Sequence, residues 1–341
     1  MGTYLGLHEK IHGSKAQDFA FVRDRLHKRV NLWTSKSLSK RGKEVLIKSV
    51  AQAIPTYVMS CFLLPKAICS KLTSVIADFW WNNRADSRGL HWISWEKMCT
   101  QLSEGRLGFR TLEEFNLALL AKQLWRLLRY PDSLLSRVLK GRYFRYCSPL
   151  EIQVSNRPSY GWRSMLVAKH VLSYGIRKTI GWKLERLREL FPPKEIILIL
   201  GIKPSLNASS DGYSWTLTKS GNYTVKSGYE AARAISRPVC DLPFQDLSVT
   251  TLKAQAWKLK TSRKLKHFVW QCVNGCLATC QRLHYRHIEV DRSGHGWIAS
   301  FGARLLHMGL KCSRISKPIP LTCGVRHSCL GYGVPSGLEH R

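Results

Sequence analysis

An excess of positive charge is the feature that most constrains how this chain can fold. Its 341 residues include 54 lysines and arginines but only 22 aspartates and glutamates, so the formal net charge is +32. Charge of one sign repels itself and disfavours a compact state unless a partner neutralises it. Nucleic acid is the partner we expect, because every nucleotide carries a phosphate; acidic proteins and anionic membranes are the alternatives.

The composition and the apolar pattern argue against a globally disordered, a membrane-spanning and a secreted protein. Hydrophobic residues make up 44% of the chain and include twelve tryptophans, which indicates packed cores and not global disorder. No apolar run is long enough to predict a transmembrane helix, and the N-terminus lacks a secretory pattern. The eleven cysteines have no regular spacing, which favours reduced thiols. We therefore expect a nuclear or cytoplasmic protein that is not secreted and has no membrane partner.

Apolar residues at helical spacing predict that the fold is mainly α. The N-terminal helices are expected at residues 14–34, at 39–53, after Pro65 and at 112–129. The predicted domain that contains them spans residues 1–145. Pro55 is expected to end the second of these helices because proline cannot continue a hydrogen-bonded turn.

A second region at 213–292 is predicted to be a small α+β unit. Two β-prone runs, 213–218 and 223–226, flank Gly221-Asn222 and predict a β-hairpin, with helices expected near 226–235 and 254–287. The proline-containing segment 146–212 is predicted to be a linker-like joint. The residues from 293 to 341 lack periodicity and are predicted to form an irregular tail.

Basic stripes on the predicted helices are the candidate nucleic-acid-binding surfaces. One such stripe alone is most simply a solvated helix face, but the stripes recur on successive helices with few acidic neighbours. Side chains of this kind hold phosphates without reading sequence, so RNA and DNA are both expected partners and no small-molecule substrate is expected. The predicted contacts are Lys40, Arg41, Lys43, Lys48, Lys122, Arg126, Arg129, Lys260, Arg263, Lys264 and Lys266.

Ordered Trp-, Gly- and Leu-containing motifs identify a family resemblance. Residues 4–7 (YLGL), 38–50, 79–81 (FWW), 105–109 (GRLGF) and 115–126 resemble the segment after the polymerase palm in LINE-type (non-LTR) retrotransposon reverse transcriptases. Residues 219–229, 257–260 and 264–270 resemble the zinc-binding region that follows the polymerase in plant members. The resemblance implies a thumb-like helical region that holds a template–primer duplex in an RNA-directed DNA polymerase.

The chain departs from this family at the residues that would carry catalysis. The family polymerase uses Mg²⁺ held by an Asp-Asp pair, and this sequence contains no Asp-Asp. We therefore predict no catalytic residues, and no polymerase activity for the chain in isolation. A segment of the family pattern is missing between Ile180 and Trp182, and the resemblance stops after Arg292, which suggests a deletion and a changed reading frame.

A zinc site is not predicted, although the second block resembles a zinc-binding region. Cys272, Cys276, Cys280 and His284 recur at every fourth residue. On one straight helix these residues span about 18 Å, whereas zinc–ligand bonds are only about 2.0–2.3 Å long. The expected role of these thiols is packing, and we predict neither a metal ligand set nor a cofactor; zinc held with partners from elsewhere is the alternative.

Two further interpretations remain open at the level of sequence. The chain could be a non-enzymatic RNA-binding protein adopted by the host, or a translated pseudogene of low stability. A hydrolase or nucleotidase is not supported, because there is no Gly-x-Ser-x-Gly turn and no phosphate-binding glycine-rich loop.

Overall fold

The computed structural model describes residues 3–4, 7–8, 14–34, 36, 38–82, 89–152, 158–179, 184–201, 212–236 and 247–277. Over these ranges the chain is mainly helical, which confirms the predicted fold class. The sequence junction between Ile180 and Trp182 and the predicted tail from residue 293 lie outside the described residues.

The N-terminal helices form where the apolar stripes predict them. A short pairing of β1 (Thr3–Tyr4) with β2 (Leu7–His8) precedes α1 (Lys15–Asp18), α2 (Ala20–Thr34), α3 (Lys40–Leu46), α4 (Thr56–Cys61) and α5 (Lys66–Trp81). A π-helical turn, Ile47–Ala51, extends α3. The sequence prediction missed α4, for which Pro55 is the N-cap residue. Proline is tolerated there because the first turn of a helix does not need its N–H.

The remaining elements follow in chain order. They are α6 (Trp95–Met98), a 3₁₀ turn (Leu102–Glu104), α7 (Leu112–Arg129), α8 (Leu134–Tyr143), α9 (Tyr160–Val167), α10 (Lys169–Gly175), β3 (Ile176–Thr179), α11 (Leu184–Leu190), α12 (Pro193–Gly201), β4 (Gly212–Trp215), α13 (Val225–Ser236), α14 (Leu247–Lys258) and α15 (Arg263–Val273). The predicted helix at 112–129 is confirmed by α7, which is central to the packing. No helix among the described residues is long and apolar enough to cross a membrane.

Helix α7 is fixed to the α4–α5 connection by a buried asparagine. The Asn116 side chain accepts a hydrogen bond from the Leu64 N–H at 2.8 Å, and its amide donates to the carbonyls of Met59 at 2.7 Å and Phe62 at 2.9 Å. A buried amide is expensive unless its donors and acceptor are satisfied. Asn116 therefore specifies how the end of α4 meets α7, and an apolar residue of the same size could not replace it.

Two clusters of buried side chains form the cores. The first contains apolar residues of α2, α5 and the start of α7, and it also includes Trp270 of α15. The second surrounds the later turns of α7 and includes Trp162 of α9, Trp215 of β4 and Tyr223. Burying one large apolar side chain contributes about 1.5–3 kcal/mol. The aromatic residues of 212–277 therefore stabilise the structure by packing on helices of the first region.

Residues 212–236 pack against α7, and Tyr223 is one of the aromatic side chains that form this contact. The Tyr223 hydroxyl donates to the carbonyl of Ala118 at 2.9 Å, and the Trp215 indole N–H donates to Ser227 Oγ at 2.9 Å. Gly228 lies directly beneath the Tyr223 ring, where a Cβ atom would overlap the hydroxyl oxygen. Glycine is needed at this position because only its missing side chain leaves room for Tyr223.

The predicted β-hairpin does not form, although its first strand does. Residues 212–215 form β4, but its partner is β3, with Ile176 opposite Trp215 in an antiparallel register. The expected second strand at 223–226 does not form, because α13 begins at Val225. Gly221 makes the turn in the left-handed region (φ 68°), and its carbonyl accepts a hydrogen bond from Trp215 N–H at 2.8 Å. The turn residues were correct, and the pairing was wrong because the true partner lies far away in sequence.

The helix predicted at 254–287 is divided. Helix α14 ends at Lys258 and α15 begins at Arg263, with the Ser262 side chain accepting a hydrogen bond from Leu265 N–H. A serine N-cap of this kind satisfies an N–H that has no partner in the first turn of a helix. Helix α15 ends at Val273, before a turn at Gly275 (φ 65°).

Part of the proline-containing segment 146–212 is packed into the second core. Helices α9 and α10 lie within it, and Trp162, Val171 and Leu172 are buried. The apolar periodicity was weak because each of these helices is short and contributes only a few buried side chains.

Candidate nucleic-acid interface

Two of the predicted phosphate contacts point inward and cap helix α5. Lys40 Nζ donates to the Trp80 carbonyl at 2.6 Å and lies 5.2 Å from the centre of the Trp80 ring. Lys43 Nζ donates to the Asn82 carbonyl and lies 5.5 Å from the centre of the Phe79 ring. The last carbonyls of a helix have no partner within it, and a lysine can satisfy them.

The environment of these two lysines lowers the pKa of both. Burial, with repulsion from Lys43, lowers the pKa of Lys40 to about 8. Burial also lowers the pKa of Lys43, whose exposure is only 5%. Both ammonium groups therefore act on carbonyl groups of the protein, and they are poorly placed to meet a phosphate.

Arg41 and Lys48 both form ion pairs with one buried glutamate. The Glu44 carboxylate accepts hydrogen bonds from Arg41 Nη1 at 2.6 Å, from Lys48 Nζ at 2.6 Å and from His267 Nε2 at 2.8 Å. Burial by itself raises the pKa of a carboxyl group, but the hydrogen bonds from His267, Lys48 and Arg41 outweigh it and lower the pKa of Glu44 to about 2. Because an ionised carboxylate only accepts, Nε2 of His267 carries the hydrogen.

The Glu44 cluster, which we define as Glu44, Arg41, Lys48 and His267, joins two distant parts of the chain. The His267 ring packs edge-on against Trp257 at 5.2 Å and beside Trp80 at 6.2 Å. A buried charge is tolerated only when it is paired and hydrogen-bonded, as it is here. Glu44 and His267 form a pair that no local sequence pattern predicts, because 223 residues separate them.

Lys122 also forms a hydrogen bond within the protein. Its Nζ atom donates to the Tyr223 carbonyl at 2.8 Å, and burial, with repulsion from Arg126, lowers its pKa. The predicted stripe on α7 is therefore divided between one lysine that holds Tyr223 and two arginines, Arg126 and Arg129, that are exposed.

The two exposed arginines border a cleft at the C-terminal end of α7. The cleft has a volume of about 460 Å³ and is also lined by Tyr130 and Asp132. Arg126 Nη1 donates to Gln123 Oε1 at 3.0 Å. Cations near the C-terminal end of a helix also interact favourably with its dipole, so a purely structural role is the simpler alternative for each arginine.

The turn between α14 and α15 carries a cluster of exposed cations. Lys260, Arg263 and Lys264 are exposed, and no acidic side chain among the described residues forms an ion pair with them. Lys258 is exposed beside them and was missed by the sequence prediction. We call Lys258, Lys260, Arg263 and Lys264 the 258–264 cluster. Lys266 differs, because its Nζ atom donates to the Trp257 carbonyl at 3.0 Å.

Helix α2 presents further exposed cations that were not among the predicted contacts. Arg25, Lys28 and Arg29 are exposed, while Val22, Leu26 and Val30 on the same helix are buried. These cations could have been predicted to be exposed, because they lie between the apolar residues of the helical stripe in the sequence. Exposure alone does not distinguish a binding surface from a solvated helix face.

Metal-ligand side chains do not converge in the part of the chain that the structure describes. No group of three or more His, Cys, Asp and Glu side chains there could hold an ion. Cys272 lies on α15, but Cys276 follows the Gly275 turn, so the expected single helix face is not formed. Cys280 and His284 lie outside the described residues. Burial raises the pKa of Cys272, which favours its thiol form.

Comparison with known proteins finds two relatives in Arabidopsis thaliana. One is an uncharacterized mitochondrial protein, 48% identical over 130 residues that make up 38% of this chain and 84% of the relative. The other carries the name "Putative ribonuclease H protein" and is 25% identical over a region covering 80% of this chain. The chain spans about half the length of that second relative (51%). No family model matches the chain.

Proposed function

The chain belongs to the same family as the uncharacterized mitochondrial protein of Arabidopsis thaliana, and from that premise we propose that it is a nucleic-acid-binding region of a retroelement protein. The name of the second relative supports this proposal, because a ribonuclease acts on RNA. The order and spacing of the FWW and GRLGF motifs support a finer proposal, in which the element is a LINE-type retrotransposon and the chain corresponds to the region after the polymerase palm.

The observation that carries the proposal is the 258–264 cluster. Its cations are exposed and have no ion pair among the described residues, whereas Arg41 and Lys48 share Glu44. An exposed cation that nothing on the protein neutralises retains its affinity for phosphate. Each contact would displace a condensed counterion from the nucleic acid, so the affinity would fall steeply as salt rises.

We propose that the chain binds nucleic acid and does not catalyse a reaction on it. Phosphate contacts fix the position of a strand or duplex and carry no sequence information. The chain contains no Asp-Asp pair with which to hold catalytic Mg²⁺, so we propose no polymerisation by this chain alone. The proposed binding does not require zinc.

The test measures how binding by the full chain depends on salt. A fluorescent RNA duplex is titrated with protein between about 50 and 200 mM salt, and the slope of log K against log salt is compared between variants. The binding variant carries Lys260→Gln, Arg263→Gln and Lys264→Gln. The matched control carries Arg188→Gln, Lys194→Gln and Lys219→Gln, which removes the same charge from exposed positions elsewhere.

We expect the binding variant to reduce the slope by roughly three and the control to change it little. Equal effects of the two variants would show that only total charge matters and would contradict the assignment of the site. Binding that does not depend on salt, or no binding at low salt, would contradict the proposed function itself.

A further inference from the structure

The cleft at the end of α7 combines an exposed aromatic ring with two arginines. Tyr130 is 60% exposed although it lies next to a buried core. The volume of about 460 Å³ lies within the range of pockets that hold small ligands, so the cleft can admit a group of the size of a nucleotide.

The position of the Tyr130 backbone is fixed by the turn that follows it. The Tyr130 carbonyl accepts hydrogen bonds from Ser133 N–H at 3.2 Å, from Ser133 Oγ at 2.9 Å and from Ser136 Oγ at 2.7 Å. The next residue, Pro131, further restricts the backbone. The backbone that carries the ring is therefore already ordered before a ligand stacks on it.

The charges around the ring favour an anion. Arg126 and Arg129 lie one turn apart on α7 and both line the cleft, while Asp132 supplies a single negative charge. Gln123 holds the Arg126 guanidinium by a hydrogen bond of 3.0 Å. Guanidinium groups bind phosphates through paired N–H donors, and an aromatic ring beside them offers a face to a flat, uncharged group.

We propose that this cleft binds one nucleotide of single-stranded nucleic acid, with the base stacked on Tyr130 and its phosphate held by Arg126 and Arg129. The inference rests on the proposed function and deepens it by naming the form of nucleic acid. A base inside a duplex already has both faces stacked, so only an unpaired base can use the ring. Every base has a flat face, so the cleft accepts any sequence.

The experiment compares single strands and duplexes at fixed salt. Labelled RNA and DNA strands of about 12 nucleotides, and the duplexes made from them, are titrated with the full chain. The variants are Tyr130→Ala, which removes the ring, and Tyr130→Phe, which keeps a stacking surface. Tyr174→Ala is the matched control, because Tyr174 is similarly exposed (55%) and does not line the cleft.

We expect Tyr130→Ala to weaken single-strand binding about tenfold and to leave duplex binding unchanged, with Tyr130→Phe close to the unmodified protein. A photoreactive thiouridine strand should crosslink to Tyr130. Equal single-strand binding by Tyr130→Ala and the control, or an equal loss for strand and duplex, would overturn the inference. If salt-dependent duplex binding persists in that case, the proposed function survives; if the unmodified chain binds neither form, both fail.

Discussion

The Glu44 cluster and the 258–264 cluster have similar basic sequences, but the first is partly buried and the second is exposed to solvent. Both lie in segments of the sequence that are rich in lysine and arginine. Around Glu44 the cations meet a buried carboxylate, and nearby Lys40 and Lys43 meet helix-end carbonyls. In the 258–264 cluster the cations meet solvent. A basic stripe in the sequence therefore does not show whether its cations stabilise the fold or bind a partner. That depends on whether the fold places a carboxylate or a carbonyl beside them.

This difference also determines where the positive charge of the chain is partnered and where it stays exposed. Glu44 offsets one positive charge inside the fold, and backbone carbonyls accept hydrogen bonds from the ammonium groups of Lys40 and Lys43. The remaining charge stays exposed, where repulsion is screened by solvent and salt. The comparison predicts that changes near Glu44 affect stability and that changes in the 258–264 cluster affect binding.

The largest expected effect follows from Glu44→Gln. The substitution leaves Arg41, Lys48 and His267 without a negative partner, which should reduce the free energy of unfolding by about 3 kcal/mol. Urea unfolding of the full chain, followed by tryptophan fluorescence, measures the loss. The unmodified protein is expected to unfold cooperatively, and a gradual transition would favour the interpretation that the chain is an unstable pseudogene product.

A smaller loss of stability is expected from Lys43→Gln. We expect the shorter side chain not to reach the Asn82 carbonyl, and leaving this half-buried acceptor unsatisfied costs about 1–2 kcal/mol. The affinity for an RNA duplex should stay within about twofold, because a lysine with 5% exposure cannot contact phosphate. A large loss of affinity in a variant that remains folded would place Lys43 in the binding surface and break the comparison.

The contribution of Glu44 to the free energy of unfolding should depend on pH. Its pKa is about 2 in the folded protein and near 4.5 otherwise, so the unfolded chain binds its proton more tightly. The ionised carboxylate therefore contributes stability above pH 4.5, and this contribution is lost as the pH falls through 2. The stability difference between the unmodified protein and Glu44→Gln should be constant near neutral pH and shrink below pH 4.5. A difference that does not depend on pH would contradict the ion-pair account.

Much of the fold could be predicted because it depends on local patterns. The apolar stripe of α7 and the helix after Pro65 are formed by neighbouring residues, and the structure confirms both. The pairing of β4 with β3 could not be predicted, since it joins residues far apart in sequence, and the nearby Gly221 turn suggested a hairpin.

The candidate site was predicted less well for the same reason. Sequence shows where the lysines are, but it does not show that Lys122 donates to the Tyr223 carbonyl or that His267 meets Glu44. Those acceptors come from distant segments. Arg263 and Lys264 remain as predicted contacts because the fold brings no acceptor to them.

Lysine acylation read by mass spectrometry tests the division of roles most directly. The full chain is labelled with and without an RNA duplex, and the reactivity of each lysine is compared. We predict that Lys258, Lys260 and Lys264 react readily in the free protein and are protected by RNA, whereas Lys43 reacts slowly in both states. Fast labelling of Lys43 that RNA suppresses, with no protection of Lys260 and Lys264, would contradict the account.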